Sequence, residues 1–568
     1  MEPTVLAVIA VALIVGSAVL GKKTGIASVL LLLIIGIGIG YIPGVPRVET
    51  DPEWILAGVL PLLLYSSAVN VPFTDFRRNL RAITGLSVTL VIVTTVISGL
   101  VLVLLLPGLG LAAAIALGAV ISPTDAVAAT SIAKRLGLPN RLVAILEGES
   151  LVNDASALVL LRSALAATAG TVTLWGVAAD FVYATVLAIG IGLVVGFVTV
   201  WIRARISDPV ITTTISFAIP FIAFVPAEHF GASGVIAVVT AGLVTGHRGA
   251  SRFAANQRIS DHTNWATVQF ILEHAVFLLM GLELHAFIED VAGSPGGVPF
   301  AVLLGLVLTA TVVIVRFLFV IPQLAMLRRW ERRSVESSDK RLDGVREMVD
   351  AVPSETERQA RQKKGMLRRI SKHEADSEFY RSEGLQWRES LVISWAGMRG
   401  VVTLAAAQSL PADTPFRSTL ILVAFVVAVV TLFGLGGTLP LVIRKTKITG
   451  TGDEARMQEI RELLETVNRA AVAVLDDPEK TRIDGTPVDP AIIAGLRSRY
   501  ERPARTEISE DAASQIDTRS QMLILDERMR ETARAELLDA RALGSFSSEA
   551  IAAVQRLLDI EESRFDAF

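Results

Sequence analysis

The chain has 568 residues, of which 52% are hydrophobic and 19% are charged, and its formal net charge is −3. Soluble domains carry about 25% charged residues, so the composition is poor in charge, and the small net charge gives no indication of a nucleic-acid partner. The sequence contains no cysteine, which excludes disulfides, thiolate metal sites and cysteine nucleophiles.

Most hydrophobic residues lie in long runs within residues 4–328 and 389–443, whereas residues 329–388 and 444–568 hold most of the charge. A bilayer core requires about 20 apolar residues per helix, so the sequence predicts an all-α polytopic membrane protein. The first run has no basic leader and is interpreted as a retained span, not a cleaved signal peptide. Thirteen spans are predicted, at 4–20, 24–41, 54–70, 83–106, 109–134, 141–165, 175–201, 209–227, 231–246, 263–284, 297–326, 389–411 and 416–443.

Basic residues are divided unevenly between the two sets of alternate loops. One set contains Lys22, Lys23, Arg77, Arg78, Arg81, Lys134, Arg135, Arg141, Arg203, Arg205, Arg248, Arg252 and Arg258, and the other contains Arg47 and Arg417. Lysine and arginine concentrate in cytoplasmic loops, so we expect the N-terminus outside and the C-terminus in the cytoplasm. The expected location is the plasma (inner) membrane of a bacterium.

The tail, residues 444–568, places apolar residues at helical spacing, as in "QMLILDERMRETARAELLDARAL". We interpret it as a helical cytoplasmic region that packs on itself or on a partner subunit, and a regulatory domain that senses pH or a ligand is the alternative. The predicted domains are a transmembrane domain, 1–443, which includes the charged cytoplasmic loop 329–388, and the helical region 444–568.

Two predicted spans are interrupted. Span 5 contains "GAVISPTDAVAAT", in which Pro123 removes a backbone donor, and span 12 contains "SWAGMRGVVTLAAA", in which Gly397 and Gly400 flank Arg399. If span 7 is a connector, spans 1–6 and 8–13 form two inverted six-helix repeats, each with the broken span fifth. Secondary transporters build a midplane ion site from such discontinuous helices, and two unrelated kinks are the alternative.

Span 6 contains the polar stretch "EGESLVNDASA". Ionisable residues at membrane depth cost about 2.5–3.5 kcal/mol each, so they indicate function. Oxygen ligands around a carboxylate suit a hard cation such as Na⁺ or Li⁺, and a proton competes for the same carboxylate. The neighbouring faces of span 6 and the kink of span 5 are expected to present one set of polar residues, namely Thr124, Asp125, Glu149, Ser150, Asn153 and Asp154.

Two arginines within apolar spans require counter-charges. For Arg316 in span 11 we expect Glu149, with Glu147 as the alternative, and the pair either holds helices together or assists ion binding. Arg399 is expected to neutralise helix dipoles or a carboxylate at the crossing of the broken spans. Glu273 is a further buried acid, which we interpret as structural and not functional.

The motifs "SPTDAVA", "GESLVNDASALV" and "AGMRGVVTLAAA" together resemble those of the monovalent cation/proton antiporter superfamily, above all its electroneutral sodium/proton exchangers. The resemblance covers residues 1–443. It implies thirteen spans in inverted repeats with two crossed broken helices, a homodimer, and a core domain that moves in an elevator-like manner. The long 329–388 loop is a departure from the short connection of many relatives.

The resemblance also assigns roles. Asp154 is implied to bind both the cation and the proton, and asparagine at 153 is typical of electroneutral exchangers. Residues that contribute to or support the cation site are implied to be Thr124, Asp125, Glu149 and Ser150, with Arg316 paired to Glu149.

We therefore expect a secondary active transporter that exchanges Na⁺ (or Li⁺) for H⁺ with 1:1 stoichiometry, with no catalytic residue and no cofactor. The cation is expected at Asp154, Ser150, Asp125 and a carbonyl near Thr124. The alternatives are K⁺/H⁺ or mixed Na⁺/K⁺ exchange, and a non-transporting membrane sensor that signals through the tail. An intramembrane aspartyl protease with an Asp125–Asp154 dyad would require a Gly-x-Gly-Asp motif, which the sequence lacks at Asp154.

Overall fold

The computed structural model describes residues 3–25, 27–43, 51–125, 127–169, 174–293, 296–350, 356–448, 452–501 and 516–565. The described chain is almost entirely helical, which confirms the predicted all-α class. Arg47, one of the two basic residues in the poorer set of loops, lies outside the described residues.

The helices up to the second interrupted span include those of the predicted spans. They are α1 (Pro3–Thr24), α2 (Ser28–Gly40), α3 (Leu60–Asn70), α4 (Phe73–Arg78), α5 (Leu80–Thr84), α6 (Leu90–Leu105), α7 (Leu111–Ile121), α8 (Val127–Arg135), α9 (Asn140–Ala169), α10 (Leu174–Arg203), α11 (Pro209–His229), α12 (Gly234–Arg252), α13 (Ala255–Ala292), α14 (Gly297–Asp350), α15 (Glu357–Ser382), α16 (Trp387–Trp395) and α17 (Val401–Gln408). Helices α13 and α14 extend well beyond the predicted bounds, and α4 and α15 lie in predicted loops.

The remaining elements are α18 (Arg417–Thr431), α19 (Gly437–Thr446), α20 (Asp453–Ala473), the strands β1 (Arg482–Ile483) and β2 (Thr486–Pro487), α21 (Pro490–Glu501), α22 (Ile516–Leu543) and α23 (Ser548–Phe565). Short π-helical segments, Trp54–Val59, Gly85–Thr89 and Leu432–Gly436, adjoin α3, α6 and α19, and a 3₁₀ turn, Val474–Asp476, follows α20. The strands form an antiparallel hairpin whose turn residues, Asp484 and Gly485, both have positive φ, as a two-residue Asp-Gly turn requires.

Among the described residues, eight helical stretches are long and apolar enough to cross a bilayer, and three further apolar stretches are shorter. Each predicted span overlaps a helix or an interrupted pair of helices. The number of crossings and the inverted repeat themselves stay predictions.

The two predicted interruptions are present, and they contact each other. Helix α7 ends at Ile121 and α8 begins at Val127, while α16 ends at Trp395 and α17 begins at Val401. The backbone N–H of Asp125 donates to the carbonyl of Met398 at 2.7 Å. The absence of a side chain at Gly400 leaves room for the Asp125 carboxylate, which a Cβ there would strike. The broken helices therefore cross at their non-helical segments.

Glycines allow α2 and α13 to approach closely. A Cβ on Gly36 would lie 2.5 Å from the carbonyl oxygen of Leu278, and a Cβ on Gly281 would lie 2.5 Å from that of Leu33. Small residues at helix contacts permit close backbone packing within membranes. This contact fixes α13, which carries one wall of the cavity described below.

The chain divides into two compact units, one of residues 1–333 and 383–450 and the other of residues 334–382 and 451–568. The second unit has its own hydrophobic core, which includes Leu463, Val467, Leu496 and Met529. Within it, α15 of the charged loop contacts α22 of the tail, and Arg368 forms an ion pair with Asp539. The loop thus groups with the tail, whereas the sequence placed the loop within the domain 1–443.

Candidate ion-binding cavity

A cavity of about 90 Å³ lies beside the crossing of the broken helices. This volume accommodates several water molecules or a cation with part of its hydration shell. Its polar lining consists of Ser67, Asp125, Ser150, Asp154, Glu273 and Thr403, and its apolar lining includes Ile55, Leu60, Leu64, Val276 and Phe277.

Asp154 lies near the middle of α9 and is only 8% exposed. Its charged neighbour is Asp125, and within the described residues no hydrogen bond to Asp154 is formed. Ser150, one helical turn earlier, lines the same cavity, as the i, i+4 spacing predicts. A buried carboxylate that faces this cavity, with no hydrogen-bond partner among the described residues, is available to an exchangeable ion.

Asp125 occupies the break between α7 and α8, against Gly400 at the start of α17. The N-terminal end of a helix carries a partial positive charge, so this position stabilises a carboxylate. The cavity therefore receives one acid from a continuous helix and one from a helix break.

The other predicted site residues form a hydrogen-bonded network next to the cavity and do not line it. Thr124 donates through Oγ1 to Oε1 of Glu149 at 2.8 Å. The Nδ2 group of Asn153 donates to the carbonyl oxygen of Thr124 at 3.0 Å and to its Oγ1 at 2.9 Å. The six predicted polar residues thus separate into two sets: Asp125, Ser150 and Asp154 face the cavity, and the others fix the break to α9.

Arg316 of α14 forms two hydrogen bonds with Glu149, at 2.6 Å and 2.9 Å, and both side chains are 2% exposed. Arg316 also donates to the carbonyls of Ile393 and Ser394 at the end of α16, at 3.0 Å and 3.2 Å. The competing acid, Glu147, instead contacts Lys134 at 2.7 Å. The partner of Arg316 is therefore the one expected from the sequence.

Arg399 binds backbone carbonyls. Its Nε donates to the carbonyl of Ile121 at 3.1 Å, and its Nη1 donates to that of Gly397. Ile121 is the last residue of α7, where the helix dipole is negative. Two partners were expected for Arg399, a helix dipole or a carboxylate. The contacts with carbonyl oxygens, one of them at the end of α7, match the helix dipole.

The sequence did not indicate that Glu273, Ser67 and Thr403 would face the cavity. The only signal for Glu273 was that it is one of two acids in the apolar run "QFILEHAVFLLMGLEL", and the other, Glu283, does not line the cavity. Composition does not show which face of α13 meets a cavity, because that depends on how α13 packs against α2 and α3.

Broken helices that cross beside a cavity lined with carboxylates, within a unit of long apolar helices, define the class as a secondary transporter. Residues 9–445 match the family model described as "Sodium/hydrogen exchanger, transmembrane". The chain belongs to this family, and hence to the monovalent cation/proton antiporters.

Individual proteins agree with this assignment. An uncharacterised Na⁺/H⁺ exchanger of Mycobacterium tuberculosis is 31% identical over 97% of this chain and 94% of its own length. One of Escherichia coli is 29% identical over 91% and 90%. The structure of the sodium/proton antiporter MjNhaP1 of Methanocaldococcus jannaschii aligns with a TM-score of 0.56 at 16% identity, covering 78% of this chain and 99% of that one, which shows a common fold.

The protein is therefore a multi-pass membrane protein and a cation/proton antiporter. The relatives are exchangers and not enzymes, which confirms the expectation that the chain has no enzymatic role and removes the aspartyl protease alternative.

Proposed function

We propose that the protein exchanges Na⁺ or Li⁺ for H⁺, and that Asp154 binds the cation and the proton alternately. The observation that carries this proposal is the position of Asp154, which is buried, faces the cavity and has no hydrogen-bond partner among the described residues. One carboxylate that holds either ion, but not both, couples the two fluxes.

In this proposal, Asp154, Ser150 and Asp125 supply oxygen ligands to the cation, as hard ions prefer. A backbone carbonyl near Thr124 completes the site, since Pro123, the preceding residue, lines the cavity. The network of Glu149, Asn153 and Thr124 keeps the break of span 5 in register with α9. Glu149 acts through this network and through its pair with Arg316.

A 1:1 stoichiometry follows from Asn153, since an amide at this position adds no second exchangeable charge beside Asp154. We further infer an elevator-like motion of the broken-helix region, assembly as a homodimer, and residence in the plasma membrane with the N-terminus outside and the C-terminus in the cytoplasm. The supports are the family assignment and the asymmetric distribution of lysine and arginine.

Exchange of K⁺ is the second candidate. A relative in Bacillus pumilus, 28% identical over 78% of this chain, is named a sodium, potassium, lithium and rubidium/H⁺ antiporter. Cavity size, ligand number and flexibility determine selectivity among hard cations, so a related site with small differences in the wall can accept the larger ion.

Reconstitution into liposomes with a pH-sensitive dye tests both candidates. After an acid-inside proton gradient is imposed, Na⁺, Li⁺ and K⁺ are added in turn to wild type and to Asp154→Asn. We expect Na⁺ and Li⁺ to dissipate the gradient in wild type only. Dissipation mainly by K⁺ would favour the second candidate, and coupled exchange by Asp154→Asn would overturn the role of Asp154.

A matched control is available on the same helix. Ser156, two residues from Asp154, donates to the carbonyl of Val152 in its own helix at 3.1 Å and does not line the cavity. Ser156→Ala is therefore expected to exchange ions as wild type does.

A further inference from the structure

The cavity has two walls built from different elements. Asp125, Ser150 and Asp154 belong to the break of span 5 and to α9, and Thr403 belongs to α17. The second wall consists of the π-helical segment Trp54–Val59, α3 and α13, and it contributes mainly apolar side chains. Glu273 is the one acid among the described lining residues of this second wall.

Glu273 is held in place by a chain of hydrogen bonds on its own side of the cavity. Gln269 donates through Nε2 to Oε1 of Glu273 at 2.7 Å. The Oε1 of Gln269 accepts from Ser66 of α3 at 3.0 Å, which fixes the orientation of the amide. A carboxylate has about four acceptor positions, so one donor leaves further capacity for a ligand in the cavity.

We propose that Glu273 is a further cation-binding residue of the exchanger, which meets the transported ion from the side of the cavity formed by α3 and α13 and sets its apparent affinity. This inference rests on the proposed function, because it concerns the same cavity. A third carboxylate in the cavity, besides Asp125 and Asp154, strengthens the attraction for a cation, because each nearby negative charge adds a Coulomb attraction. Asp154 alone couples the exchange, so Glu273 governs binding and not turnover.

The substitution Glu273→Gln distinguishes a role in cation binding from a purely structural role. In Glu273→Gln the side-chain oxygen still accepts from Gln269 and the volume is nearly unchanged, so only the charge is lost. We expect exchange to persist with a similar maximal rate, and the KM for Na⁺ to rise by about 10- to 100-fold, as loss of a charged contact does. A residue that merely tied α13 to α3 would leave KM unchanged.

A control acid lies on the same helix. Glu283 is 3% exposed, accepts from Nε2 of Gln408 at 3.0 Å and does not line the cavity. Glu283→Gln is therefore expected to keep the wild-type KM, whatever its effect on thermal stability. A rise in KM of equal size in both variants would contradict a specific role for Glu273.

The assay is the liposome measurement above, with Na⁺ titrated, for wild type, Asp154→Asn, Glu273→Gln and Glu273→Asp. The aspartate variant keeps the charge but withdraws it by one methylene, so its KM should lie between those of wild type and Glu273→Gln. A wild-type KM in either Glu273 variant overturns the inference. If wild type dissipates no gradient with any cation, the proposed function fails instead, so the two failures are distinguishable.

Discussion

The ion pair between Glu149 and Arg316 joins several helices inside the membrane region. Two parallel hydrogen bonds join the side chains, and the guanidinium also binds the last carbonyls of α16. Arg316 thus connects α9, α14 and the first half of the broken span 12. An arginine suits this position because its planar group donates in several directions at once.

The first prediction concerns this pair. Arg316→Ala leaves a buried carboxylate without its counter-charge, which costs about 3–5 kcal/mol in buried pairs. We expect a large fall in the melting temperature of the detergent-solubilised protein.

The control pair is Arg162 and Glu228, whose side chains are 50% and 25% exposed. Partly exposed pairs contribute about 0–1 kcal/mol, so Arg162→Ala should melt close to wild type. Equal melting temperatures for Arg316→Ala and wild type would show that the buried pair contributes little.

At the scale of elements, the sequence predicted the helix breaks because proline and glycine act locally. Pro123 lacks the backbone N–H that a helix requires, whatever the helix packs against. Gly400 lies at the second break. The pairing of Asp125 with Met398 across the two breaks depends on tertiary packing, so spacing in the chain did not reveal it. For the same reason Glu273 was interpreted as structural, although α13 turns it toward the cavity.

The grouping of the charged loop with the tail was also beyond the sequence. Helical periodicity identifies amphipathic helices in both regions, but it does not show which helices share a core. In the structure α15 packs with α22, across a gap in sequence that contains the whole of spans 12 and 13.

The second prediction concerns the contact of α2 with α13. In Gly281→Val the new side chain meets the backbone carbonyl of Leu33, 2.5 Å from the Cβ position, and backbone cannot yield as a flexible side chain does. Overpacking of this kind costs about 1–3 kcal/mol, so the melting temperature should fall. Gly38→Ala on α2 is the control, because nothing lies within 4 Å of its Cβ position, and an equal fall in that variant would contradict the expectation.

At the scale of the molecule, the two units have separate cores. The cavity and every residue proposed to bind ions belong to residues 1–333 and 383–450. Transport is therefore expected to depend on the first unit, and the second unit is available for regulation or for contacts with a partner.

The third prediction follows from this division. A chain truncated after residue 450 should still exchange Na⁺ for H⁺ in liposomes, because the ion-binding residues are retained. The truncation removes α22, the helix that α15 contacts, and so leaves α15 without this contact. In a second variant, residues 357–382 are also replaced by a flexible linker, which removes α15. Loss of exchange in both, with the protein still folded, would show that transport also requires the second unit.

The placement of the arginines has a consequence for the sign of the ions that the cavity admits. Arg316 and Arg399 direct their donors toward a carboxylate and toward carbonyls outside the cavity, and the described lining contains acids, hydroxyls and apolar groups but no basic side chain. A chloride ion there would meet carboxylates and find no cationic group to replace its water. The negative charge of the cavity therefore excludes anions of any ionic radius, and a bound cation is not accompanied by an anion.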